Sequence, residues 1–207
     1  MKEFETYLFD FDGTLVDSHD SLIHVFKGAY AVCGIDVDES IVRRLMRIPL
    51  WQGYEELKAP EDKKQEFGDA IIRLLNDEEI LRKTKKYEEV EEVLISLHKK
   101  GKKLGIVTSN NRKHVHDVLT FINLDEKLFS VVVGNFETKK HKPDPDPIFK
   151  ALELLDISKD NVCYVGDGLD DIRCAINAQV KPILLDRLDE YENEPYLIIK
   201  NLRELLK

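Results

Sequence analysis

Thr6-Tyr7-Leu8-Phe9-Asp10-Phe11-Asp12-Gly13-Thr14 begins as an aromatic and aliphatic run and closes on two aspartates and a glycine. A short apolar run bounded by turn residues reads as a buried strand, here ending at Asp10 to Gly13. Three later segments repeat the pattern: Leu104 to Thr108, Val131 to Gly134 and Val162 to Gly166, with a weaker fourth at Pro182 to Leu185. Helical spacing separates them, over Glu88 to Lys100 closed by Gly101, Arg112 to Ile122, Pro147 to Leu155 and Leu169 to Ala178. Asp146 is placed to cap the third of these helices, and Pro147 suits its first turn. Leu197 to Ile199 reads as a short strand, and Asn201 as the cap of a final helix, Leu202 to Lys207. Continuous apolar strands alternating with helices predict an α/β fold, a parallel sheet with helices on both faces.

Between the first strand and the second lie about 90 residues without a comparable strand, too many for one crossover helix. Ser21 to Cys33 closed by Gly34, Glu39 to Met46, and Asp62 to Lys86 all carry helical spacing. A helical insertion over residues 18–85 accounts for them, leaving 1–17 and 86–207 as the core. The 207-residue length suits a core domain with such an insertion.

Hydrophobic residues make up 43% of the chain and charged residues 34%, the balance of a folded globular protein. No stretch approaches the ~18 apolar residues of a membrane helix and the N-terminus lacks a signal-like core, so a cytoplasmic location and no membrane partner are expected. Cys33, Cys163 and Cys174 form no metal-type spacing; Cys163 and Cys174 are expected to pack as small apolar residues. A net charge of −9 makes the surface repel nucleic acid and anionic membranes. Such a chain can handle a phosphate only by concentrating positive charge locally.

Ligands of parallel α/β sheets bind beyond the carboxyl ends of the strands. Those ends deliver Asp10 and Asp12, then Thr108, Ser109 and Asn110, then the run containing Lys142, and last Asp167, Asp170 and Asp171. Aspartates are poor strand residues, and clustered carboxylates repel one another unless a cation sits among them. Oxygen donors without a Cys or His set point to Mg²⁺. A carboxylate can act as a nucleophile toward phosphorus. A second carboxylic acid two residues on can protonate a leaving oxygen and later activate water.

Asp10-Phe11-Asp12-Gly13-Thr14-Leu15-Val16-Asp17-Ser18 resembles the first signature of the haloacid dehalogenase-like hydrolase superfamily. Leu104 to Thr108 is similar to its second, Lys142-Pro143-Asp144-Pro145 to its third, and Val165-Gly166-Asp167-Gly168-Leu169-Asp170-Asp171 to its fourth. The resemblance implies a Rossmann-like core carrying a small α-helical cap. It implies Asp10 as nucleophile and metal ligand, and Asp12 as general acid/base that also gives its carbonyl to the metal. Thr108, the Ser109 N–H and Asn110 are then expected on the phosphoryl oxygens, with Lys142 pairing Asp10 and the phosphate. Asp167 is expected to ligate Mg²⁺, and Asp171 to support it or to serve as a further ligand. For Asp171 a second reading stands, since Asp170 and Asp171 also suit the start of a helix.

Asp12 favours phosphate over carbon–halogen chemistry, because halide departure needs no proton donor. The stretch Arg43 to Gly53 resembles the substrate-facing loop of the phosphoglycolate phosphatase and pyrophosphatase branch. Arg47 in it can contact an anionic substrate group or serve as a solvated helix residue, and Trp51 is expected to pack within the cap. The leading expectation is a phosphatase acting on a small phosphorylated metabolite, as monomer or homodimer. A pyrophosphatase, a phosphotransferase like β-phosphoglucomutase, and a non-catalytic binding module on the same fold stand as alternatives. The mutase branch carries a histidine where Leu22 falls here, between His19 and His24.

Overall fold

In the computed structural model, which describes residues 3–46, 48, 50–191 and 194–207, the chain divides into two compact units. One comprises Met1–Asp17 with Lys86–Lys207, the other Ser18–Lys85. The first unit contains β1 (Thr6–Phe9), β2 (Val16–Asp17), α6 (Val90–Lys99), β4 (Lys103–Val107), α7 (Arg112–Phe121), β5 (Val131–Val133), α8 (Asp146–Leu155), β6 (Val162–Gly166), α9 (Leu169–Ala178), β7 (Lys181–Leu185) and β8 (Leu197–Ile199). The second contains α1 (His19–Val32), α2 (Glu39–Leu45), α3 (Leu50–Glu56), α4 (Lys64–Leu75) and α5 (Glu78–Leu81), and β3 (Lys85–Lys86) follows as the chain returns to the core.

Six parallel strands stand in the order β5-β4-β1-β6-β7-β8. Every residue of β1 and of β6 is buried, as expected of strands covered on both faces. Side chains alternate across β1. Tyr7 and Phe9 stack at 6.4 Å on one face, while Leu8 packs on the other with Val133, Tyr164, Ile148 and Ala151 of α8, and Ala175 of α9. Cys163 and Cys174 are buried free thiols, Cys174 within this core and Cys163 beside Tyr7 on the other face. The chain runs from β1 outward through β4 to β5, then crosses back to β6 and runs outward through β7 to β8. That reversal beside β1 makes a crevice at its carboxyl end.

The second unit closes on its own core, with α1 against α4. The Tyr30–Phe67 and Tyr54–Phe67 ring centroids are each 4.8 Å apart, packed with Val42, Leu45 and Ile71. Three local differences from the expected elements have physical causes. The single helix expected over Asp62 to Lys86 is broken at Asn76, because the Asp77 carboxylate accepts from the Glu79 N–H at 2.8 Å and starts α5. Helix α8 begins at Asp146 itself, with Pro145 in the cap position and the Asp144 carboxylate accepting from the Asp146 N–H at 3.1 Å. Leu202–Leu206 is a 3₁₀ turn rather than an α-helix, closed by Asn201 and Glu204 in a reciprocal cap. Trp51 lies on α3 with its edge toward Tyr54 and is 43% exposed, so it shields the aromatic core without entering it. Arg47 lies outside the described residues. Among the described residues no helix is long and apolar enough to cross a membrane.

Candidate active site

Phe9 pairs with Ile106 on one side and Val165 on the other, so Asp10, Thr108 and Asp167 leave the sheet at one rim. The Asp10 N–H donates to the Val165 carbonyl at 2.8 Å, and the Thr108 N–H to the Val133 carbonyl at 3.0 Å. These bonds extend the ladder one residue past each strand and fix where the polar side chains emerge. Beyond Asp10 the chain turns sharply. Gly13 adopts φ +76°, which a residue with a β-carbon tolerates poorly. A β-carbon there would also collide with the Asp167 carboxylate.

Lys142 reaches this rim from the loop between β5 and α8. Its Nζ lies 2.7 Å from Asp10 Oδ1 and 2.6 Å from Asp171 Oδ1, with the three side chains 9%, 8% and 6% exposed. It also donates to the Tyr164 hydroxyl at 3.3 Å, which donates in turn to the Val107 carbonyl at 2.8 Å. Burial disfavours the charged ammonium, but Asp10 and Asp171 outweigh it and raise its pKa, so Lys142 stays protonated. Asp171 is further held at Oδ2 by the Gly168 N–H at 3.0 Å, at the amino end of α9. Asp171 thus sits in the first turn of α9 and faces Lys142.

One lysine does not neutralise this cluster. Burial pushes the Asp10 carboxyl well above the usual carboxylate range against the pull of Lys142, with Asp171 and Asp167 adding to the push. Burial likewise lifts Asp167 to about 7, again with help from Asp171. Asp10, Asp167 and Asp171 each bring an oxygen within 4.8 Å of the others. Buried oxygen donors carrying surplus negative charge fit a hard divalent cation. The residues thus suit a divalent cation of the expected kind.

The Asn110 amide donates to Asp12 Oδ2 at 2.6 Å. Asp12 Oδ1 is buried and has no partner among the described residues. Asn110 is itself held by its N–H on Thr108 Oγ1 at 3.1 Å. The structure therefore directs the Asn110 side chain to the second aspartate, whereas the sequence suggested a phosphoryl oxygen. Ser109 is exposed at the rim, and His141 beside Lys142 is exposed as well.

Three members of this neighbourhood escaped the sequence. Tyr164 lies inside an apolar strand and looked like core. Thr14 stands in the sequence only as part of a signature, yet its hydroxyl donates to Asp167 Oδ1 at 3.4 Å. Arg187 follows β7 at the same rim, a position that the strand-end rule flags.

A parallel α/β core with a lysine-bridged carboxylate cluster at its strand ends is the class of structure that these residues build. The chain belongs to the haloacid dehalogenase-like hydrolase family, whose sequence profile matches residues 7–185. It is 32% identical over 182 residues to pyrophosphatase PpaX of Bacillus mycoides, covering 86% of this chain and 81% of that one. It is 29% identical over 213 aligned positions to pyrophosphatase PpaX of Halalkalibacterium halodurans, covering 99% and 96%. Among solved structures, a haloacid dehalogenase-like family hydrolase from Streptococcus pneumoniae superposes with a TM-score of 0.85 over 100% of this chain and 98% of that one. At 18% identity that likeness speaks for the fold alone.

Proposed function

We propose that the protein is a Mg²⁺-dependent phosphatase that hydrolyses a small phosphorylated metabolite through an aspartyl-phosphate on Asp10. The observation that carries this reading is the buried Asp10 carboxylate, fixed at Oδ1 by Lys142 at 2.7 Å, with Asp12 two residues on. Asp10 Oδ2 attacks phosphorus, the bond from phosphorus to the leaving oxygen breaks, and Asp12 gives that oxygen its proton. Water then loses a proton to Asp12 and attacks the same phosphorus, releasing phosphate and restoring the Asp10 carboxylate. The Thr108 hydroxyl, the Ser109 N–H and Lys142 hold the transferring oxygens, and Asn110 keeps Asp12 in place. A divalent cation held by Asp10, Asp167 and the Asp12 carbonyl, with Asp171 beside them, supplies further charge neutralisation for the phosphate. Residues 18–85, Arg47 included, are assigned the role of a substrate-selecting cap.

A second reading is favoured by the names of the curated relatives, pyrophosphatases at 29–32% identity. Cleavage of a phosphoric anhydride uses the same nucleophile but leans less on proton donation by Asp12, because phosphate is a good leaving group. Phosphate release from an aryl phosphate, phosphoglycolate, nucleotides, sugar phosphates and pyrophosphate, each with Mg²⁺ and with chelator, separates the two. Release of phosphate from none of them, or release undiminished by chelator, would count against the whole reading.

A further inference from the structure

We propose that Arg187 is a positioning residue of this site, holding the Gly13–Thr14 turn against Asp167 and so setting the affinity for the cation. The inference rests on the cation site proposed above. Arg187 sits just past β7, and its guanidinium engages three partners from two other segments. Nη1 lies 2.6 Å from Glu89 Oε1, Nη2 donates to the Thr14 carbonyl at 3.0 Å, and Cζ lies 3.6 Å from the centre of the Tyr87 ring. The arginine side chain is 13% exposed and that of Glu89 4%.

Thr14 is fully buried, so its carbonyl needs a partner inside the protein, and Arg187 supplies it. The other side of the same turn is the wall of Asp167. The Thr14 hydroxyl donates to Asp167 Oδ1 at 3.4 Å, and Gly13 packs so closely on that carboxylate that no β-carbon fits between them. A shift of the turn therefore moves or unpairs Asp167. The chain of contacts runs from Glu89 through Arg187 and Thr14 to a residue facing the cation.

A buried ion pair is a poor way to gain stability, since well-packed apolar residues of similar volume serve as well or better. A planar fork that pairs a carboxylate, caps a carbonyl and stacks on an aromatic ring is instead suited to fixing geometry, and lysine cannot replace it. Residues that orient metal ligands typically change metal affinity by about 10–100-fold when removed.

The test is the Mg²⁺ dissociation constant, measured by titration calorimetry on the full chain, with thermal unfolding in chelator as a separate measure of fold. Arg187→Met is expected to weaken Mg²⁺ binding by about tenfold or more. Because that change strands a buried Glu89, the double variant Arg187→Met/Glu89→Gln removes both charges and keeps an acceptor at position 89. It is expected to unfold cooperatively and to bind Mg²⁺ as weakly as the single variant. A folded double variant whose Mg²⁺ affinity stays within about twofold of the parent would overturn the inference while leaving the site reading intact. Failure of the parent chain itself to take up Mg²⁺ would instead overturn the site reading, and this inference with it.

Discussion

Replacing Lys142 with Met keeps most of the side chain's length and apolar stem but removes the cation shared by Asp10 and Asp171. All three side chains are less than a tenth exposed, so water cannot take over the lost contacts. Stranding one side of a buried pair costs about 3–5 kcal/mol. The carboxylates have one escape, which is to bind a proton. At pH 7, neutralising a carboxyl of ordinary pKa ~3.9 costs about 4 kcal/mol, at 1.36 kcal/mol per unit. Asp10 already stands well above that range because of its burial, so its escape is cheaper and a loss of about 3 kcal/mol is expected. The sign with pH follows from the raised folded-state pKa. Asp10 is already raised in the parent, and losing the downward pull of Lys142 raises it further in the variant, so as pH falls the folded variant takes up its proton before the parent does and gains stability relative to it. Urea unfolding in chelator should therefore show a gap from the parent that narrows as pH falls, by up to ~1.4 kcal/mol per unit. A loss below about 0.5 kcal/mol, or a gap indifferent to pH, would refute the role of Lys142 as the buried counter-ion.

Adding Mg²⁺ to chelator-treated protein should stabilise it by about 2.7 kcal/mol at a hundredfold excess over Kd, read by thermal unfolding. Burial lifts Asp167 to about 7, so protons compete with the cation: the gain should hold above that pH and fade below it, and equal Mg²⁺ affinity on both sides of neutrality would exclude Asp167 as a ligand. Asp12→Asn cannot transfer a proton and should lower turnover by about 10²–10⁴-fold. With an aryl phosphate, whose leaving group needs little protonation, the same variant should accumulate phosphorylated protein, whereas turnover at the parent rate would remove Asp12 from the acid/base role.

The rim of the site was legible because its residues break the pattern of the elements that carry them. Aspartates ending an apolar strand stand out, and the register of parallel strands then gathers every strand end in one place. Tyr164 was hidden for the opposite reason: a tyrosine inside an apolar run suits a core, and only the fold turns its hydroxyl toward Lys142. Arg187 reads as a surface charge after a strand until Glu89 and Thr14, both far off in sequence, close around it. Asn110 shows a subtler gap, since its place beside Thr108 was evident but the direction of its amide depends on where Asp12 lies. In the second unit, α3 forms across Gly53, a poor helix residue, with Tyr54 anchored in the aromatic core. Tertiary packing there outweighs local propensity.

In the proposed reaction, phosphorus becomes bonded to Asp10. Acid quenching during turnover of an aryl phosphate with Mg²⁺, followed by peptide mass spectrometry, tests it most directly. A phosphoryl adduct is expected on the peptide containing Asp10, formed fast enough to sustain turnover, increased in Asp12→Asn and absent from an inactive Asp10→Asn. Undiminished turnover by Asp10→Asn, or an adduct on another residue that meets the same kinetic criterion, would contradict it.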